Sequence, residues 1–72
     1  MRSITLEAHY NKGRYRWVTV DFEVLSERTR TAFKTAYEQR SVINATPTRL
    51  KEVGLPDGAF SLWVVHLGPE ST

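Results

Sequence analysis

The sequence predicts a small α+β domain, in which one helix packs on one face of an antiparallel sheet in the order ββαββ. Three observations support this fold class. The chain has 72 residues, enough for one domain. Apolar and polar residues alternate on both sides of a short turn at residues 11–13. Apolar residues then recur at helical spacing between residues 27 and 40. We assign residues 1–67 to the domain and 68–72 to a polar C-terminal tail.

The first two strands are predicted to form a hairpin. The turn Asn11-Lys12-Gly13 places glycine where a left-handed backbone is usually needed. Residues 14–24 are rich in β-branched and aromatic side chains and form the second strand. The turn length predicts three cross-strand pairs, Tyr10 with Arg14, Leu6 with Val18, and Ile4 with Val20. The side chains directed to the core are then Ile4, Leu6, Val18, Val20, Phe22 and Val24.

A helix is predicted over residues 27–40. Ser26 is a favourable N-cap residue. The apolar stripe that would face the sheet consists of Ala32, Phe33, Ala36 and Tyr37, extended at its ends by Thr29 and Arg40.

Residues 46–53 have two interpretations. As a strand, our preferred interpretation, they would pair with a final strand at residues 59–67 through a turn at residues 55–58. As a helix, they would begin at a threonine cap followed by proline and end at Gly54. In the final strand we expect Phe60, Leu62 and Val64 to point one way and Trp63, Val65 and Leu67 the other. Apolar side chains on both faces indicate an interior strand, or one whose second face meets a partner.

Composition excludes several classes of protein. The chain has no cysteine, so it has neither disulfides nor thiolate metal ligands. Its N-terminus has no signal-peptide pattern, and its longest apolar run, residues 62–65, is too short to span a bilayer. No catalytic or phosphate-loop motif is present. We therefore expect a non-enzymatic domain without metal or cofactor, not in a membrane, located in the cytoplasm.

The tip of the predicted hairpin is a first candidate binding site. Lys12, Arg14 and Arg16 are interleaved there with Tyr15 and Trp17. Such a pattern indicates contact with phosphates or with an acidic protein surface. The alternative is that the rings pack against neighbours while the cations keep an exposed turn soluble.

The sheet face turned away from the helix is a second candidate. Tyr15, Trp17 and Trp63 should share this face, because one helix covers only one side of a sheet. Exposed contiguous apolar surface on a small protein usually marks an interface. The alternative is that the C-terminal tail or a short helix at residues 47–53 covers the rings.

The start of the helix is a third candidate. Arg28 and Arg30 lie in its first turn, and Lys34 follows one turn later. Cations are unfavourable at this positive end of the helix dipole, so the sequence departs here from the usual preference for acidic residues in the first turn. This indicates a site for an anion or an acidic residue, with a solvated, screened surface as the alternative.

The segments HYNKGRYRWVTVDFEV and SERTRTAFKTAYEQR carry a resemblance to a known family. In length and layout the chain resembles the small RNA-polymerase-binding transcription regulators of Xanthomonas lytic phage. The resemblance implies binding to host RNA polymerase in the bacterial cytoplasm, inhibition of promoter-dependent initiation, and antitermination. No functional residue of that family can be assigned to a position in this sequence, because the resemblance includes no motif to align.

Three hypotheses follow for the function. The first is a phage-type regulator that binds a host protein complex, with RNA polymerase as the target. The second is a nucleic-acid-binding domain that stacks bases on the same rings, although a net charge of +2 is small for that role. The third is a phage inhibitor of a bacterial defence complex. A monomer and a weak homodimer through the aromatic face are both compatible with the sequence.

Overall fold

A three-stranded antiparallel sheet carries both helices of the domain on one of its faces. The structure is a computed structural model, and it describes residues 2–68. Its elements are β1 (Ser3–His9), β2 (Tyr15–Asp21), α1 (Glu27–Gln39), α2 (Pro47–Val53) and β3 (Ser61–Leu67), with short 3-10 turns at Asn11–Gly13 and Phe22–Val24. The strand order is β2-β1-β3, so β1 is central. The predicted α+β class is confirmed.

The hairpin has the predicted register. Leu6 lies opposite Val18 and Ile4 opposite Val20. At the turn the Tyr10 N–H donates to the Arg14 carbonyl over 2.7 Å. Gly13 has the left-handed backbone that was expected, and Lys12 shares it with φ 64°. The hairpin thus follows from the turn length and the apolar pattern together.

The second strand ends earlier than predicted, at Asp21 rather than residue 24. The Asp21 carboxylate accepts a hydrogen bond from the Glu23 N–H at 3.0 Å, which turns the chain out of the strand. Phe22 is buried as expected, but Val24 is 71% exposed. The prediction for Val24 was wrong because strand alternation does not continue through the 3-10 turn.

Ser26 caps α1, since its hydroxyl accepts from the Thr29 N–H at 3.3 Å. The predicted stripe is only partly correct: Phe33 and Ala36 are buried, whereas Tyr37 and Arg40 are exposed. The buried side chains Thr29, Phe33 and Ala36 follow the spacing i, i+4, i+7. Tyr37 falls at the border of that stripe, and Arg40 ends the helix with a left-handed backbone.

Residues 47–53 form a helix with Thr46 as its N-cap, so the preferred strand interpretation was wrong. The Thr46 hydroxyl accepts from the Arg49 N–H at 3.2 Å, and Gly54 ends α2 with φ 81°. Leu50 and Val53, one turn apart, are both buried in the core. The order is therefore ββααβ, and no strand at 46–53 pairs with β3.

The last strand, β3, lies at an edge of the sheet and pairs with β1. This excludes the alternative in which it is an interior strand. Its pairing shifts by one residue between Thr5 and Leu6, where Val65 is the extra residue of a β-bulge. The extra residue turns Leu67 back to the core, whereas strict alternation had placed it with Trp63. Phe60 precedes the strand and is 63% exposed, so it does not share the buried side of Leu62 on which alternation had placed it.

One core joins the sheet to both helices. Its fully or nearly fully buried apolar side chains are Ile4, Leu6, Ala8, Phe22, Leu25, Phe33, Ala36, Ile43, Leu50, Val53, Leu55 and Leu62. Gly68, assigned to the tail, is buried and its N–H donates to the Ser3 carbonyl at 2.9 Å. The rest of the predicted tail lies outside the described residues.

The Glu52 carboxylate of α2 forms hydrogen bonds at the N-terminal end of α1. Glu52 accepts from the Ser26 N–H through one oxygen and from the Thr29 hydroxyl, at 2.7 Å, through the other. Burial alone raises the pKa of Glu52, but these hydrogen bonds outweigh it, and the net pKa lies below its ordinary value. The link fixes the two helices to each other.

We expect Glu52→Ala to lower the free energy of unfolding by about 1–2 kcal/mol at neutral pH, because it leaves Ser26 and Thr29 without this partner. A lowered folded pKa means that the ionised carboxylate stabilises the fold above its unfolded pKa near 4.5, and that this contribution is lost as the pH falls through the folded value. The difference from wild type, measured by urea denaturation, should therefore shrink on acidification. Glu38→Ala, at an exposed position of α1, is the control. A difference that does not change with pH would contradict this role for Glu52.

Candidate protein-docking face

The central strand places one acidic side chain between the two tryptophans. Glu7 of β1 lies opposite Trp17 of β2 on one side and opposite Trp63 of β3 on the other. These positions belong to the alternate set that points away from the buried Leu6 and Ala8. Trp17 is 60% exposed and Trp63 is 43% exposed. Among the described residues, therefore, neither the helices nor the loops enclose the indoles.

A second row of the sheet adds further rings. His9 lies opposite Tyr15, and its ring centroid is 6.2 Å from that of Tyr15, 6.0 Å from Trp63 and 6.5 Å from Phe60. The Phe60 N–H donates to the His9 carbonyl at 2.9 Å, which holds the phenylalanine beside the sheet. We call the surface formed by His9, Tyr15, Trp17, Phe60 and Trp63 the aromatic face. It is wider than the sequence indicated, because Phe60 was not expected to contribute to it, whereas His9 lies across from Tyr15 as the register predicted.

Glu7 organises the polar atoms of the aromatic face. One carboxylate oxygen lies 2.7 Å from His9 Nε2, and the other accepts from the indole N–H of Trp17. The hydrogen bonds from His9 and Trp17 hold the pKa of Glu7 below its ordinary value. The carboxylate is therefore ionised at neutral pH and satisfies the polar atom of Trp17. The apolar surface of the Trp17 ring stays exposed for contact with another molecule, and the hydrogen bond to Glu7 holds the ring in one orientation.

Strand alternation separates the arginines of the basic tip from Trp17, although Tyr15 lines the same open groove as Arg14 and Arg16. Arg14 and Arg16 lie opposite Tyr10 and Ala8, whose side chains are on the helix side of the sheet. Tyr15 and Trp17 point to the other side. Arg14 and Arg16 are thus on one face of β2 and Tyr15 and Trp17 on the other, as the two-residue period of a strand requires.

The arginines of the tip border an open groove against the loop Pro56-Asp57-Gly58. The Tyr10 hydroxyl donates to the Pro56 carbonyl at 2.7 Å and ties this loop to the hairpin. Burial raises the pKa of Tyr10 and outweighs the opposing effect of Arg16. The groove therefore combines Lys12, Arg14 and Arg16 with one acidic neighbour, Asp57.

The third predicted site, at the start of α1, is separate from the aromatic face. Arg28 and Lys34 are exposed, on an element that packs on the opposite side of the sheet. Arg30 donates through Nη1 to the Leu25 carbonyl at 2.6 Å and to the Glu23 carbonyl at 3.3 Å. The positive end of the helix is occupied by Glu52, where a foreign anion would otherwise bind. An acidic group is thus present there, but it belongs to this chain.

Within residues 2–68, His, Asp and Glu side chains do not come together in any group of three or more that could hold a metal ion. In the same part of the chain, neither helix is long and apolar enough to cross a membrane. Comparison with protein-family models, with curated proteins and with solved structures finds no match to this chain.

Proposed function

We propose that this chain is a non-catalytic regulator that binds another protein through its aromatic face, and that its target is bacterial RNA polymerase. The observation that carries the docking proposal is the row Trp17–Glu7–Trp63, in which two exposed indoles flank one hydrogen-bonded carboxylate. Tryptophan and tyrosine are among the side chains that contribute most to binding at protein interfaces.

The aromatic face is suited to tight contact because its parts are already held in place. The indole N–H of Trp17 is bonded to Glu7, and both groups lie on paired strands. Ordering a mobile side chain at an interface costs about 0.5–1.5 kcal/mol, a cost that a fixed ring largely avoids. Binding through Trp17 should therefore require little rearrangement of this chain.

Protein docking accounts for the geometry better than nucleic-acid binding. A single-stranded nucleic acid needs rings for stacking and cations for its phosphates along one groove. Here Arg14 and Arg16 are on the helix side of β2, whereas Tyr15 and Trp17 are on the other side. The small net charge of +2 agrees with a protein partner.

The resemblance of the chain to phage regulators supplies RNA polymerase as the target. We infer that the chain acts by covering a surface of the polymerase that another factor needs. Occupation of such a surface on the polymerase would inhibit promoter-dependent initiation, and continued attachment during elongation would promote antitermination.

The test is direct binding of the chain to purified bacterial RNA polymerase, followed by promoter-dependent transcription across a terminator. We expect a stable complex, fewer initiated transcripts and increased readthrough. Absence of a complex with both core enzyme and holoenzyme would remove the polymerase as target. Binding to single-stranded oligonucleotides that weakens steeply with salt would instead support the nucleic-acid function.

A further inference from the structure

The outer edge of β2 has backbone groups available for pairing. Tyr10 and Arg14 form a hydrogen-bonded pair, and such pairs alternate with non-bonded ones along an antiparallel ladder. The N–H and C=O groups of Tyr15, Trp17 and Thr19 therefore point away from β1. In the part of the chain that the structure describes, β2 has no second neighbouring strand. The opposite edge of the sheet is partly covered, since Ile43 and Leu62 exchange two hydrogen bonds of 2.9 Å.

The side chains along this edge differ between the two faces. Tyr15 and Trp17 lie on the aromatic face, and Arg14 and Arg16 lie on the helix side. Residues 12–20 contain three cations and no acidic residue. A strand added to this edge would place its side chains alternately beside the rings and beside the arginines.

We propose that β2 binds an extended segment of its partner as a fourth strand, and that apolar and acidic residues alternate in this segment. Backbone pairing with Tyr15, Trp17 and Thr19 supplies register, the rings contact the apolar side chains, and the arginines contact the acidic ones. The proposal rests on the proposed function, because it defines which part of a protein partner meets the aromatic face.

Charge complementarity favours this occupant over a second copy of the chain. Two copies paired antiparallel through β2 and centred on Tyr15 would place Arg14 of each opposite Arg16 of the other, with no acidic residue between positions 12 and 20 to offset them. Charged side chains on an edge strand are a common means of preventing such self-pairing. An acidic segment meets the same arginines favourably.

The test uses a synthetic peptide of about eight residues, a usual strand length, in which glutamate and valine alternate. Backbone amide exchange of the full chain is followed by NMR. We expect slowed exchange at Tyr15, Trp17 and Thr19, with no change at Val64 on the opposite edge. A peptide of the same composition with the glutamates and valines in separate blocks is the first control. A peptide N-methylated on the side that meets β2 is the second, and neither should protect these amides.

Charge reversal provides the matched variant. Arg14→Glu together with Arg16→Glu changes two exposed side chains, and we expect it to weaken binding of the glutamate peptide about tenfold or more. A peptide in which lysine replaces glutamate should then bind the variant better than wild type. NMR spectra of the free variant check that the fold is retained.

Three results would overturn the proposal. The first is no binding of the alternating peptide at millimolar concentration, and the second is binding without protection of the β2 amides. The third is protection that depends on protein concentration without peptide, which would identify a second copy as the occupant. Each of these results is compatible with the proposed function if binding to the polymerase still depends on Trp17 and Trp63. Loss of that dependence would instead contradict the proposed function.

Discussion

Phe33→Ala is expected to unfold the domain at room temperature. Phe33 is fully buried between α1 and the sheet and is among the largest side chains of the core. Truncation of a buried phenylalanine to alanine costs about 3–5 kcal/mol. The core of a chain of this length rarely supplies more than about 3–5 kcal/mol of net stability, and the chain has no cysteine that could add a disulfide. The loss is therefore comparable with the whole free energy of unfolding.

Lys34→Ala is the matched control, since it changes the next residue of the same helix at an exposed position. It should alter the free energy of unfolding by less than about 0.5 kcal/mol. Circular dichroism and urea denaturation of both variants provide the measurement. A cooperative unfolding transition of Phe33→Ala near that of wild type would contradict the assignment of Phe33 to the centre of the core.

Trp17→Ala is expected to weaken binding to RNA polymerase about 30-fold or more while leaving the domain folded. A central aromatic anchor contributes about 2 kcal/mol or more to an interface, and about 1.4 kcal/mol corresponds to a factor of ten in affinity. The effect on stability should stay near 1 kcal/mol, because Trp17 is 60% exposed on an outer strand of the sheet, opposite Glu7.

Val24→Ala is the control for the tryptophan variant, because Val24 is exposed and apolar but lies in the turn after β2, outside the aromatic face. Affinity and urea denaturation should be measured for both variants in parallel. Equal affinities of Trp17→Ala and wild type for the polymerase would show that binding uses another surface.

The hairpin could be predicted from sequence because its determinants are local. The length of the turn at residues 11–13 fixes the pairing, and alternation of Ile4 and Leu6 with polar residues confirms which face is buried. The class of the fold follows from the hairpin and from the spacing of apolar residues in α1. These signals require no knowledge of distant parts of the chain.

Residues 46–53 were harder, because these eight residues before Gly54 fit both a strand and a short helix. The local helix signals at Thr46, Pro47 and Gly54 were all present in the sequence. The structure favours the helix because Leu50 and Val53 then reach one core together, and because Glu52 reaches the first turn of α1. Both contacts join distant parts of the chain and are not visible in a local pattern.

For the candidate site, alternation and register correctly place Trp17 and Trp63 on a common exposed face. The same alternation separates Arg16 from Trp17, although grouping the residues of the tip by sequence proximity obscured this. The bulge near Val65 could not be predicted, since a single extra residue in β3 leaves no clear mark in the sequence. Alternation places Glu7 and His9 on the same face of β1, but their 2.7 Å contact depends on side-chain geometry.

The aromatic face as a docking surface is tested most directly by hydroxyl-radical footprinting of the free chain and of its complex with RNA polymerase. We predict that the indoles of Trp17 and Trp63 are both labelled in the free chain, in agreement with their exposure, and that both become protected in the complex. Indoles that are already protected in the dilute free chain, or that remain fully labelled in the complex, would contradict this account.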